Sequence, residues 1–212
     1  MTIDNITKAH AAGAAVVAGG VADAASKKGV AELIGKIKDS SAEVRTKAWL
    51  GAGEAGAAAV NALAEVMTDK DLEVARAAKR ALWQIVHYTG RPGADKDRQA
   101  VADKLAGLLG DGQPVAVRRE ALWMLSEIGR KNAVEPIAAL LTNKELREDA
   151  RMVLERIPDK SSVAALRAGF KSAPEDFKPN LAQSLRNRGG KVRGYECVKL
   201  VPAKQTSIKP LK

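Results

Sequence analysis

One short phrase recurs five times along this chain. It reads V-R-T-K-A-x-L-G-A from Val44 and V-R-R-E-A-x-W-M-L from Val117. Counted from apolar anchors at Val44, Val74, Val117, Leu146 and Phe177, small or apolar residues return four, seven and eight positions on. They are Ala48, Gly51 and Ala52; Ala78, Ala81 and Leu82; Ala121, Met124 and Leu125; Ala150, Val153 and Leu154; and Leu181, Ser184 and Leu185. That spacing puts each set on one stripe of a helix. Successive anchors lie 30, 43, 29 and 31 residues apart, so one interval carries an insertion and the rest share a period in the range of solenoid arrays.

Ahead of each anchor phrase runs a second helical pattern, joined to it by a short polar turn: residues 30–39, 56–69, 100–111, 132–143 and 161–172. Each unit is thus helix A, tight turn, helix B. A unit of this size cannot bury its apolar stripe alone, and stacked neighbours can. The expected fold is all-α, an α-solenoid of about five stacked antiparallel helix pairs with a non-helical C-terminal tail. Pro114 and Pro174 fall near the starts of B helices, and Gly56, Gly90, Gly129 and Gly189 are placed to stop them. Residues 88–99, with Gly90, Pro92 and Gly93, read as an inserted loop, either a surface excursion or a binding loop at the rim.

The chain divides into three regions. Residues 1–29 include an Ala-rich stretch expected to form an N-terminal helical cap or degenerate repeat. Residues 30–190 form the repeat array. Residues 191–212 form a basic tail whose Pro202 and Pro210 forbid a long helix. Aromatics are only 3% of the chain, and a core of small aliphatics suits packed helices. The net charge is +10, and half of that excess lies in the last 22 residues, where six Lys/Arg face one acid. A basic balance of this kind favours acidic partners, whether an acidic protein face, nucleic acid or an anionic membrane, unless the tail serves solubility alone. Cys197 is the only cysteine, which excludes an internal disulfide. The N-terminus lacks a basic region followed by a Leu-rich run, and no segment is apolar enough to span a bilayer. The chain is expected to be soluble and cytoplasmic.

The pattern A-V-x-P-I-x-A-L-L, short turn, L/V-R-x-x-A-x-x-x-L resembles HEAT repeats, in particular the short bacterial type shared with phycobilisome-lyase-like proteins. The likeness is strongest at Ala133 to Leu154 and at Val117 to Gly129. Ala75 and the Lys178–Pro179 pair depart from the pattern. The resemblance implies a right-handed stack with B helices lining a concave surface. It also implies that Arg45, Arg118 and Arg147 are structural arginines bridging to acids of the intervening turns, with Asp39 and Asp111 placed to accept.

No phosphate loop, dinucleotide fingerprint or nucleophile elbow is present, and His10, His87 and Cys197 match no metal-ligand spacing. No catalytic residue, metal or cofactor is therefore assigned. With the anchor stripe facing the core, positions two, five, six and nine after each anchor point the opposite way. That face carries Trp49, Arg76, Lys79, Arg80, Trp83, Arg119, Trp123 and Arg151, and with them every tryptophan of the chain. Trp and Arg together suit a contact surface, and the competing reading is packing between repeats. Trp83 is the foremost candidate.

The leading function is a non-enzymatic protein–protein interaction scaffold using this concave face, and possibly the basic tail. The alternative is a nucleic-acid-binding protein similar to the HEAT-like alkylpurine DNA glycosylases, with Trp123 and Glu127 one helical turn apart. A bilin lyase or lyase-like factor is suggested only by the repeat subtype. A purely positive face would favour nucleic acid, and mixed signs would favour protein.

Overall fold

A computed structural model describes residues 27–196, and these form ten α-helices with no strand among them. Helix α1 spans residues 27–37. It is followed by α2 (Ala42–Leu50), α3 (Gly56–Val66), α4 (Leu72–Thr89), α5 (Asp95–Gly107), α6 (Val115–Ile128), α7 (Val134–Ala139), α8 (Arg147–Arg156), α9 (Lys160–Ser172) and α10 (Lys178–Asn187). The odd-numbered helices are the A helices and the even-numbered ones the B helices. B packs on B throughout, α2 on α4 on α6 on α8 on α10, while α3 packs on α5 and α7 on α9. The result is a two-layer stack of five pairs, as the repeat predicts. The Ala-rich segment expected to cap the N-terminus, His10, Cys197 and most of the tail lie outside the described residues.

Most local signals act where the sequence places them, but Gly56 opens α3 instead of stopping α2, which ends at Leu50 with Gly51 as its cap. Ser41 caps α2 by accepting the Val44 N–H, and Asp71 caps α4 by accepting those of Glu73 and Val74. Three of the A-to-B turns are tied by one device, a side-chain oxygen accepting an N–H two residues on: Asp39 from Ser41, Asp69 from Asp71, and Asn143 from Glu145. Pro114 takes the N-cap of α6, and Pro179 sits in the first turn of α10, where a missing N–H costs nothing. Gly129 closes α6 so tightly that a Cβ there would lie 2.4 Å from the Leu125 carbonyl oxygen.

Between the layers the anchor stripe forms the core. Val74, Val117, Leu146 and Phe177 are buried, as are Leu82, Leu125, Leu154 and Leu185 eight positions on. Val44 is only half-buried. Two expectations need correction. The long interval between the second and third anchors is not a loop over 88–99, because α4 runs on to Thr89 and α5 begins at Asp95. Arg98 pins the short connection by donating to the carbonyls of Thr89, Gly90 and Arg91, and Arg91 pairs with Asp97 at 3.1 Å. The fourth A helix is broken: residues 131–133 and 140–142 are 3₁₀ turns on either side of a six-residue α7 that contains Pro136.

Beyond α10 the chain folds back over the last pair. Arg186 donates to the carbonyls of Val192, Gly194 and Tyr195, while Val192 packs on the core. The Tyr195 hydroxyl donates to Glu175 at 2.6 Å, and its ring meets Phe170 edge-on.

Candidate functional site

The outward stripe of the B helices brings the candidate residues into one row, where most of them bond to the next B helix. The pairings repeat. In α4, Trp83 donates its indole N–H to Glu120 of α6 at 2.6 Å, and Lys79 reaches the other oxygen of that carboxylate at 2.9 Å. One unit on, Trp123 of α6 donates to Asp149 of α8 at 2.8 Å, and the Arg119 Nε donates to the second oxygen at 3.0 Å. Each carboxylate thus receives an indole and a cation from the preceding unit. Glu120 is only 7% exposed, so both donors help to offset the cost of burying its charge.

At the two ends the theme changes. Arg80 of α4 stacks over the ring of Trp49 in α2, 5.4 Å from its centroid. Arg151 of α8 lies between Glu148 and Glu155 of its own helix, at 2.7 and 3.2 Å, and donates to the Ser184 hydroxyl of α10 at 2.7 Å. Asn187 and Asn180 of α10 donate to Glu155 and Glu148 in turn. Arg76 pairs within α4 to Glu73.

Trp49 and Trp83 are half-buried, whereas Trp123 is 40% exposed even with its indole nitrogen bonded. The emphasis therefore moves from Trp83, which cross-links two units, to Trp123, which presents its ring to solvent. Sequence reasoning missed Glu120 and Asp149, the acids that organise the row. Both stand three positions after an anchor, a position between the core stripe and the outward stripe. The signal was the E in V-R-R-E and the D in L-R-E-D, legible by asking what the tryptophans of the preceding helix would meet.

The three repeat arginines behave as structural groups in three different ways. Arg118, 5% exposed, donates to the Leu109 carbonyl at 3.0 Å and pairs with Asp111 at 2.8 Å. Arg147 reaches into the next unit, pairing with Asp176 at 2.5 Å and lying over the Phe177 ring. Arg45 does not meet the Asp39 carboxylate. It donates to the backbone carbonyls of Asp39 and Ser40, because the Asp39 side chain is engaged by the Ser41 N–H. Glu127 pairs with Arg156 at 2.7 Å, so the carboxylate bonded to Trp123 is Asp149 and not Glu127. His87 lies against the Trp83 ring.

At the C-terminal end of the row a groove of about 520 Å³ is lined by Glu148, Arg151, Asn180, Gln183, Tyr195 and Glu196. Beside it the buried Gln183 Oε1 has no hydrogen-bond partner among the described residues. The described residues hold no cluster of three His, Cys, Asp or Glu side chains placed to bind a metal, and no described helix is long and apolar enough to cross a membrane.

Two layers of antiparallel helix pairs stacked at a thirty-residue period define an α-solenoid repeat protein. The family model of the PBS lyase HEAT-like repeat matches residues 117–143, the stretch from α6 through α7 and its closing 3₁₀ turn. That stretch is similar to a HEAT-like repeat. No curated protein matches it. Among solved structures it is similar to an engineered protein of the Northeast Structural Genomics Consortium, with 25% identity, 79% of this chain and 83% of that chain covered, and a TM-score of 0.40. It is also similar to a designed armadillo repeat protein in complex with the peptide (KR)4, with 19% identity, 73% and 80% covered, and a TM-score of 0.41.

Proposed function

We propose that this chain is a non-enzymatic docking scaffold that receives a segment of a partner protein along its B-helix face, centred on Trp123. Solenoid repeat folds supply extended surfaces of this kind. The observation that carries the reading is the Trp123 ring, 40% exposed yet fixed from behind by Asp149. An aromatic held in one orientation before a partner arrives loses little freedom on binding, as binding hot spots require.

The electrostatics favour protein over nucleic acid. Lys79, Arg119 and Arg151 are each matched to a carboxylate, so the face carries mixed signs where a phosphate backbone would need unpaired cations. The same pairing leaves fewer cations free for the acidic partner that the net charge suggests.

The reading is tested by selecting peptides from a displayed random library on the intact protein and rebinding them to Trp123→Ala. Clones that bind the native chain and lose binding to the variant support it; clones indifferent to Trp123 would overturn it. Duplex and single-stranded oligonucleotides are expected to bind weakly at moderate salt. Tight binding that falls steeply with salt and is lost in Arg119→Ala would replace the protein-docking reading with a nucleic-acid one.

A further inference from the structure

Arg80 stands apart from the other cations of the outward stripe. Among the described residues, Arg76 is engaged by Glu73, Lys79 by Glu120, Arg119 by Asp149, and Arg151 by Glu148 and Glu155, while Arg186 donates to carbonyls. Arg80 is exposed and has neither a carboxylate nor a carbonyl against it among the described residues; its guanidinium lies over the Trp49 ring, 5.4 Å from the centroid. The sequence explains the difference. One turn away on α4, where a helical partner would stand, are Arg76, Ala77, Trp83 and Gln84. On the side of α2 that leads to Trp49, Glu43 is taken by Lys47 and Glu54 accepts the Tyr88 hydroxyl.

Trp49 packs against the core and so fixes the surface on which the guanidinium rests. A guanidinium held by its face keeps its edge N–H groups open, and the fork they form matches one carboxylate with two parallel hydrogen bonds. One open cation suits one carboxylate, whereas a phosphate backbone is held by several. Apolar surface lies to either side: Leu50 on α2 is 55% exposed and Trp123 on α6 is 40% exposed. Helices α2, α4 and α6 are consecutive B helices that pack on one another. Adjacent packed helices are about 8–10 Å apart, and an extended chain advances about 3 Å per residue. Residues about three apart in an extended segment therefore reach successive B helices.

We propose that Arg80 receives the carboxylate of an aspartate or glutamate in the docked partner segment, with apolar residues about three positions to either side of that acid against Leu50 and Trp123. The inference rests on the docking reading above and makes it more specific. It gives the partner a pattern, an acid between two apolar residues, and it gives the face a second anchor besides Trp123.

The test uses peptide clones selected from the random library on the intact protein. Clones that need Trp123 are expected to carry an aspartate or glutamate about three positions from an apolar or aromatic residue. Their affinity for Arg80→Gln should fall about tenfold. Replacing the acid of the peptide by lysine should weaken binding to the native chain by a similar factor, and Arg80→Glu should restore it. That exchange guards against a folding defect, since a misfolded variant would not regain binding. Clones that need Trp123 but carry no acid, or that bind Arg80→Gln as tightly as the native chain, would overturn this inference and leave the docking reading standing. An empty selection, or clones indifferent to Trp123, would remove the docking reading and this inference with it. Duplex oligonucleotide binding that is lost in Arg80→Gln would assign the cation to phosphate and sink the carboxylate assignment.

Discussion

Asp149 in α8 holds the indole N–H of Trp123 in α6 at 2.8 Å, so an exposed aromatic ring is oriented by a carboxylate one repeat away. Glu120 does the same for Trp83 one unit earlier, but there the acid is buried. The two pairs share their chemistry and differ in solvent access, which separates a structural tryptophan from one available to a partner.

Trp83→Ala is expected to destabilise the protein by about 3 kcal/mol, through lost packing and the removal of one donor from a buried carboxylate. Trp123→Ala should cost less than about 1.5 kcal/mol, because much of its ring already faces water. Urea unfolding of both variants checks the contrast. Equal costs would erase the distinction on which the choice of Trp123 rests.

Removing Asp149 releases two donors at once. Asp149→Ala should cost about 1–3 kcal/mol, and a double-mutant cycle with Trp123→Phe should give a coupling energy of at least about 0.5 kcal/mol. A coupling of zero would mean that the two residues are neighbours without an energetic link.

Gly129 offers a test of backbone fit. A methyl group there would meet the Leu125 carbonyl oxygen at 2.4 Å and the Ile157 side chain at 3.2 Å. The obstacle is main chain, which cannot move aside as a flexible side chain would. Gly129→Ala should therefore destabilise by more than about 1 kcal/mol, in spite of the entropy that alanine removes from the unfolded state. Thermal unfolding of the variant is the measurement.

Stability should hold across neutral pH and fall at both extremes, in part through groups of the fifth unit. The Asp176 carboxyl is held below the usual range by its hydrogen bond from Arg147, and that of Glu175 by Lys178 and then Tyr195. A carboxyl with a lowered folded pKa contributes stability above its unfolded value, near 4, and loses that contribution as pH falls through the folded value. In the other direction the Glu175 carboxylate raises both Lys178 and Tyr195. Their contribution is complete below unfolded values near 10 and is lost as pH rises through the folded ones. Melting temperatures of wild type and Glu175→Gln from about pH 2 to pH 11 check this, the variant being expected to show a shallower decline at each end.

Much of the architecture was legible because helical periodicity and turn chemistry are local. The anchor stripe at Val74, Val117, Leu146 and Phe177 is the core, and Pro114 and Gly129 begin and end α6 as their chemistry dictates, whereas Gly56 opens α3. The 88–99 segment was misread because Gly90 and Pro92 mark a break without showing how far the flanking helices extend, and α4 runs up to Gly90.

By itself the sequence determined the all-helical class, the five paired units, and which stripe of each B helix would be buried, since all three depend on spacing within about thirty residues. Only the tertiary structure decided what the outward stripe does. Glu120 meets Trp83 across 37 positions and Asp149 meets Trp123 across 26, and contacts at that separation depend on how one unit settles against the next. Stacking converted Trp83 into a cross-link, left the Trp123 ring open, and brought Tyr195 and Glu196 to the groove at the end of the same row.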